Sequence, residues 1–326
     1  MERRDTGALT AGPQNGTAIR CQRVTRRFGG LVAVDGLDLE VQQGEVFALV
    51  GPDGAGKTTL IRMLCGALAP DSGEVMVAGR DVVTDPEAVK ARIGYMPQRF
   101  SLYGDLSVTE NLRLYADLYN VPPRAFPQRA ERLLADFRLL PFGGRLAQFL
   151  SGGMKQKLAL ACTLIHDPEA LILDEPTTGV DPVSRRQFWR ILYGLNRQGI
   201  TIFVSTPYMD EAERATRVAL MNRGRVIAIG DPASLKSQME GEILQIVAEP
   251  QEAAKDALRA HPMVRSLEVF GDRLHVLVSS AEVGASLQSA LAQRGIQMSS
   301  VRRVSPSLED VFVSRLGERD AGGHAA

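Results

Sequence analysis

Positive charge is not in surplus in this 326-residue chain, where 38 Lys and Arg face 38 Asp and Glu. Without excess cations to neutralise a phosphate backbone, a general nucleic-acid binder is disfavoured. Cysteine is scarce too. Cys21, Cys65 and Cys162 lie far apart and share no metal-ligand or redox spacing, which points to reduced, buried structural thiols in a reducing compartment. Long apolar runs are missing. Leu158 to Ile165 is typical of the longest and falls far short of the roughly 18 residues that span a bilayer. Met1 to Arg20 has no apolar core flanked by a cleavage site, so the chain is expected in the cytosol, with any membrane role borrowed from a partner. What remains is ordinary globular composition, 44% apolar and 23% charged, with length enough for about two domains.

Residues 1–18 are rich in Gly, Thr, Arg and Asn without apolar periodicity and read as a disordered tail. From 19 to 235 the pattern mixes short alternating strands, as in Leu31 to Val41, with continuous apolar runs followed by helices. The runs Val46 to Val50, Leu171 to Leu173 and Ile200 to Val204 suit parallel strands covered on both faces. After Asp231-Pro232 the composition changes. Strands at Ile243 to Ala248, Val264 to Phe270, Arg273 to Val278 and Gln297 to Val304 alternate with helices at Glu252 to Ala260 and near Glu282 to Arg294. That βαββαβ order predicts a small ferredoxin-like α+β domain over 236–316, with a last helix from Leu308 to Leu316 and a tail at 317–326.

Gly51-Pro52-Asp53-Gly54-Ala55-Gly56-Lys57-Thr58 fits G-x-x-x-x-G-K-[ST], directly after an apolar strand and before a helix-like stretch that opens at Thr59. Glycine-rich backbone can curl its N–H groups around anionic oxygens, and the helix start adds the positive end of its dipole. Lys57 then reaches the terminal phosphates and Thr58 can ligate Mg²⁺, which makes residues 51–59 a nucleoside-triphosphate site. Further on, Ala170 to Leu173 runs straight into Asp174-Glu175. An aspartate at the carboxyl end of a parallel strand lies where such sheets bind ligands and can hold Mg²⁺ through water, and Glu175 is placed to polarise an attacking water.

Leu150-Ser151-Gly152-Gly153-Met154 completes the set, and here the sequence resembles the ATP-binding cassette (ABC) family, whose signature motif is L-S-G-G-M. The resemblance implies an α/β P-loop NTPase cassette: a mixed sheet core, an antiparallel β subdomain and a helical subdomain. It also implies that Ser151, Gly152 and Gly153 dock on ATP held by a second subunit. Matched position by position, Gln98 resembles the loop glutamine that senses Mg²⁺ and the attacking water and reports to the membrane partner, and Glu175 and Gln98 are the expected catalytic residues. Phe28 resembles the aromatic that stacks on adenine, though a core aromatic is nearly as good a reading. Asp181 resembles the loop aspartate that crosses the dimer interface. ATP and Mg²⁺ are the implied cofactors, with Thr58, Gln98 and Asp174 near the metal.

One position departs from the family pattern. In Ser205-Thr206-Pro207 the histidine that contacts the γ-phosphate is replaced by Pro207, which has neither a backbone N–H nor a donating side chain. Locally, Thr206 as N-cap with Pro207 at the first helical position predicts a helix start. His166 reads as a turn residue, not a substitute. The ending Ser307-Leu308-Glu309-Asp310-Val311-Phe312 resembles ATPase subunits of type-2 ABC exporters, whose permease is a separate chain. The segment from Arg99 to Asn120 resembles the helical subdomain that receives the permease, and it also reads as plain helix entry capped by Ser107 or Thr109. The implied function is an exporter ATPase, peripheral on the cytoplasmic membrane face, with a permease and a second ATPase subunit, identical or different, as partners and no nucleic acid. The alternative is a largely non-hydrolytic regulatory cassette paired with a competent ATPase chain. A cassette acting on ribosomes or DNA is disfavoured by the neutral charge.

Overall fold

Short apolar runs with no polar alternation suit strands buried on both faces, and the computed structural model, which describes residues 16–99 and 102–322, places Val46–Val50 and Ala170–Asp174 so, whereas the run from Leu158 lies in the buried part of a helix. In chain order the elements are β1 (Thr17–Phe28), β2 (Leu31–Gln42), β3 (Val46–Val50), α1 (Lys57–Leu64), β4 (Ser72–Val77), β5 (Arg80–Asp81), α2 (Pro86–Arg92) and β6 (Ile93–Met96). Next come α3 (Val108–Leu118), α4 (Phe126–Asp136), α5 (Gly152–Leu164), β7 (Ala170–Asp174), α6 (Pro182–Asn196), β8 (Thr201–Thr206), α7 (Met209–Ala212), β9 (Arg217–Asn222) and β10 (Arg225–Gly230). The remainder is α8 (Pro232–Ser237), β11 (Glu242–Glu249), α9 (Gln251–Arg259), β12 (Val264–Phe270), β13 (Arg273–Val278), α10 (Gly284–Ala292), β14 (Gln297–Val304) and α11 (Leu308–Gly322).

Every residue of β3, β7 and β8 is buried. The central sheet runs β10-β9-β3-β8-β7-β6, with β9, β3, β8, β7 and β6 parallel. Its carboxyl ends therefore gather the segment after β3, the end of β7 and the end of β8 at one rim. A second sheet, β2-β1-β4-β5, is antiparallel and forms the β subdomain. Helices α3, α4 and α5 pack on one another as the helical subdomain. Ser107 caps α3 in a reciprocal box with Glu110, which decides between the two cap candidates. Of the segment Arg99 to Asn120, residues 100–101 lie outside the described residues, as do 1–15 and 323–326 of the two expected tails. β1 already begins at Thr17, inside the stretch read as a tail, because Ile19 and Cys21 alternate into the core. Likewise α11 continues to Gly322, beyond the expected end at Leu316. All three cysteines are buried, and burial pushes their thiols up, Cys21 to about 12.

By compactness the chain forms two units. One runs through Tyr208 and includes Ala215–Val226; the other combines Met209–Arg214 with the chain from Ile227 onward. The domain start expected at 236, like the composition change after Asp231-Pro232, falls inside the second unit. There β12-β13-β11-β14 form an all-antiparallel sheet, the ferredoxin-like order. Asp310, 4% exposed, ties its motif to this sheet. The Ser307 backbone N–H and hydroxyl both donate to Asp310 Oδ2, at 2.8 and 2.7 Å, and His275 Nδ1 lies 3.2 Å from Asp310 Oδ1. Gln245 Nε2 lies 3.0 Å from His275 Nε2, and its amide oxygen accepts from Arg302 Nε and Nη2 at 2.9 and 2.6 Å. Because Arg302 fixes the amide orientation, Gln245 donates to Nε2, and His275 carries its proton on Nδ1 toward Asp310.

In the first unit the core is anchored by the rings of Phe47 and Phe203, stacked at 5.6 Å. Phe203→Ala removes a fully buried ring between β3 and β7 and should lower unfolding free energy by about 3–5 kcal/mol. Chemical denaturation followed by the fluorescence of Trp189, the chain's one tryptophan and buried in the same unit, measures it.

Candidate functional site

The loop between β3 and α1 is shaped by what surrounds it. Gly56 has φ +105°, and a Cβ there would stand 2.2 Å from the Ala33 carbonyl oxygen; at Gly51 it would stand 2.1 Å from that of Met221. No other residue fits either position without moving backbone. The rim formed by Pro52, Asp53 and Gly54 is exposed, while Ala55 is buried. Lys57, the first residue of α1, is 4% exposed, and its ammonium donates to the carbonyl oxygens of Gly51 at 2.8 Å and Pro52 at 3.2 Å. It also stands 3.3 Å from Glu175 Oε1.

Asp174 closes β7, and Glu175 turns the chain with a left-handed φ of +48°. A non-glycine residue in that region costs about 1–2 kcal/mol, so something must hold it there. The Glu175 N–H donates to both the carbonyl oxygen and the hydroxyl of Ser205, at 3.1 and 3.0 Å. Ser205 in turn donates its hydroxyl proton to Asp174 Oδ1 at 2.6 Å. Glu175 Oε2 accepts from Gln98 Nε2 at 2.8 Å and from the Thr178 hydroxyl at 3.3 Å. The structure thus brings Lys57, Gln98, Asp174 and Glu175 together, and Thr58 and Thr59 follow on the same helix turn.

Burial raises the Asp174 carboxyl above its ordinary value. The Glu175 charge adds to that, while the Ser205 hydrogen bond, the nearby Thr58 hydroxyl and the Lys57 charge pull it back. Its second oxygen, Oδ2, is buried without a hydrogen-bond partner. A desolvated carboxylate oxygen that no protein donor satisfies fits a metal ion or its bound water, and the hard oxygen donors here suit Mg²⁺.

The remaining expected residues stand apart from this cluster. Ser151 caps α5, accepting from the Met154 N–H at 3.3 Å, and it and Gly152 are exposed. Gly153 lies against α6, since a Cβ there would meet Ser184 Oγ at 2.5 Å. Asp181 caps α6, accepting from the N–H groups of Val183 at 3.0 Å and Ser184 at 2.9 Å. Phe28 is 46% exposed with the Arg26 guanidinium 4.9 Å from its ring centroid, so it is not a core aromatic. His166 stacks on Tyr119 and places Nε2 at 2.9 Å from the Ile93 carbonyl oxygen, a structural turn contact as expected.

Around Pro207 the local expectation needs correcting. Thr206 Oγ1 accepts from the Tyr208 N–H at 3.0 Å, a turn of the Ser/Thr type, and the helix begins only at Met209. Pro207 therefore sits in the turn and not at the first helical position. Two residues that touch the carboxylates, Thr178 and Ser205, escaped sequence reasoning. Their one shared signal is a hydroxyl at or just beyond the carboxyl end of a buried parallel strand.

A glycine-rich loop after β3, a buried lysine and a carboxylate pair at the end of β7, two strands away in the same parallel sheet, define a P-loop nucleoside triphosphatase. Comparison with known proteins narrows the class. Residues 34–178 match the model described as ABC transporter, and residues 230–315 match that described as ATP-binding protein DrrA1-3-like, C-terminal domain. The chain is 42% identical over 308 residues to the probable multidrug ABC transporter ATP-binding protein YbhF of Escherichia coli K12, covering 93% of this chain but only 53% of that one. It therefore spans about half of that relative's length. It is 37% identical over 306 residues to the daunorubicin resistance ATP-binding protein DrrA3 of Streptomyces coeruleorubidus, covering 93% of this chain and 96% of the relative. A solved structure of an ATP-binding subunit of an ABC transporter superposes with a TM-score of 0.62 at 29% identity, over 68% of this chain and 93% of that one. The chain belongs to the ABC transporter ATPase family. Among the described residues no helix is long and apolar enough to cross a membrane.

The raised Asp174 carboxyl has a stability consequence. Between the unfolded and folded values the native state binds the extra proton, so stability falls as pH rises through that window. In EDTA, Asp174→Asn should flatten that decline and melt above the wild type at neutral pH, while losing Mg²⁺-dependent ATP binding; thermal melts across mildly acidic to neutral pH check this.

Proposed function

We propose that this chain is the ATP-hydrolysing subunit of an exporter, working on the cytoplasmic membrane face with a separate permease and a second ATPase subunit. The observation that supports it most directly is the junction of Lys57, Gln98 and Glu175 beside the unpartnered Asp174 Oδ2. The export direction rests on relatives named for multidrug transport and daunorubicin resistance, and on the C-terminal region shared with the DrrA type.

In this reading the loop N–H groups and Lys57 bind the phosphates, and Lys57 gives up the carbonyls of Gly51 and Pro52 for phosphate oxygens. That move also frees Glu175 Oε1 from its ion pair, leaving the carboxylate to accept the proton of the attacking water, while Gln98 holds Oε2 and orients the pair. Asp174 and Thr58 would hold Mg²⁺, with Gln98 close by, and the ion would supply neutralisation of the phosphate charge. Phe28 offers an exposed ring face to adenine. Ser151, Gly152 and Gly153 present an exposed helix start to nucleotide on a second subunit, with Asp181 at the same interface. Closing that dimer around ATP and reopening it after hydrolysis drives the permease.

Pro207 favours a second reading, a slow cassette that completes a competent site on a different ATPase chain. A proline in that turn donates nothing to a γ-phosphate. Steady-state hydrolysis by the purified chain separates the two. The wild type should bind Mg-ATP and turn over slowly, Pro207→His should raise turnover by about tenfold or more, and Glu175→Gln should abolish turnover with binding retained. Fast hydrolysis by a pure wild-type homodimer, unchanged by the histidine, would remove the asymmetric reading and leave a homodimeric exporter ATPase.

A further inference from the structure

Ser205 is the penultimate residue of β8, fully buried and in direct parallel register with Asp174. A serine hydroxyl has one proton and two lone pairs, and here the proton and a lone pair are spent on the two carboxylate residues. The proton goes to Asp174 Oδ1 at 2.6 Å. A lone pair receives the Glu175 N–H at 3.0 Å, and the Ser205 carbonyl shares that N–H at 3.1 Å.

Two consequences follow for orientation. With Oδ1 turned to β8, the oxygen left without a donor is Oδ2, so the hydroxyl determines which Asp174 oxygen is available to a metal ion or its water. With its N–H clamped by two acceptors, Glu175 keeps its left-handed φ of +48°, from which its carboxylate meets Lys57, Gln98 and Thr178. Pro207 supplies no side-chain donor two residues later, whereas Ser205 brings β8 into contact with both carboxylate residues.

We infer that Ser205 is a positioning residue for Mg²⁺-dependent ATP hydrolysis: its hydroxyl sets the metal-facing oxygen of Asp174 and the backbone of Glu175 together. This rests on the ATPase reading above. Alanine would leave Asp174 Oδ1 buried without its donor and release Glu175, whereas threonine keeps the hydroxyl on a strand residue whose branching suits β structure.

The test uses the full chain and compares wild type, Ser205→Ala, Ser205→Cys and Ser205→Thr. ATP binding is titrated calorimetrically against free Mg²⁺ and in EDTA, single-turnover hydrolysis is followed across ATP concentration, and thermal melts report folding. Ser205→Ala should bind ATP in EDTA as the wild type does, need about tenfold more Mg²⁺ for tight binding, and lose about tenfold or more in maximal rate with half-saturation little changed. Ser205→Thr should stay within about threefold of wild type, and Ser205→Cys, a weak hydrogen-bonding near-isostere, should fall between. If Ser205→Ala does not fold, the graded order of Thr above Cys in Mg²⁺ dependence carries the test. The inference fails if Ser205→Ala keeps wild-type Mg²⁺ dependence and rate, or if Ser205→Thr is as defective as Ser205→Cys. Wild-type chain that shows no Mg²⁺-dependent ATP binding would overturn the ATPase reading and this inference with it, an outcome distinct from unchanged variants on a competent wild type.

Discussion

Two adjacent carboxylates, Asp174 at 0% and Glu175 at 6% exposure, sit at the end of a strand with no exposed residue. Burying one charge beside another of the same sign is strongly unfavourable unless each is paired or hydrogen-bonded. The partners come from separate stretches of chain: Lys57 from the start of α1, Gln98 from beyond β6, Thr178 from the turn after β7, and Ser205 from β8. They converge only because β3, β8, β7 and β6 are neighbours and parallel, so that their carboxyl ends share a rim. The sheet order is thus a condition for tolerating the site, and the site explains why this rim of the sheet carries its polar residues.

The arrangement is self-satisfied except at one point. Lys57 occupies loop carbonyls and the Glu175 carboxylate, Gln98 and Thr178 engage the other Glu175 oxygen, and Asp174 Oδ2 alone of the carboxylate oxygens lacks a donor. Internal pairing of this kind keeps a highly charged pocket stable without nucleotide. In the proposed mechanism, phosphate binding and activation of the base would be one exchange of partners: the ammonium that reaches a phosphate is the ammonium that pairs with Glu175 here.

Much of this was legible in the residues. Val46 to Val50, Val264 to Phe270, Arg273 to Val278 and Gln297 to Val304 form strands over the expected spans, since continuous or alternating apolar patterns bounded by turns leave little choice. The phosphate loop was legible because glycine spacing and a Lys-Thr pair encode backbone geometry directly. Hydroxyls were not. A serine or threonine at a strand end has no pattern of its own, and Ser205 gains meaning only once β7 and β8 are set side by side. Helix starts were similarly uncertain: Thr206-Pro207 has the composition of a cap, yet the threonine hydroxyl closes a turn with Tyr208 and the helix begins later. Phe28 was ambiguous for a different reason, since an aromatic beside an arginine reads equally as core or as surface until its exposure is known.

The way the chain is shared between its two units bears on how such a protein could have been assembled. Met209–Arg214 belongs with the C-terminal unit, where α7 packs on α11, yet the chain leaves the first unit only after Tyr208 and returns to it at Ala215. The last unit is therefore not a simple appendage. A gene segment encoding only residues 230–315 would arrive without α7, which its final helix packs against, and a cassette ending near 235 would keep α7 with no α11 to cover it. Shuffling this C-terminal module between cassettes would thus demand a matched sequence in the turn region that follows β8, so the two stretches are expected to be inherited together as one co-adapted pair.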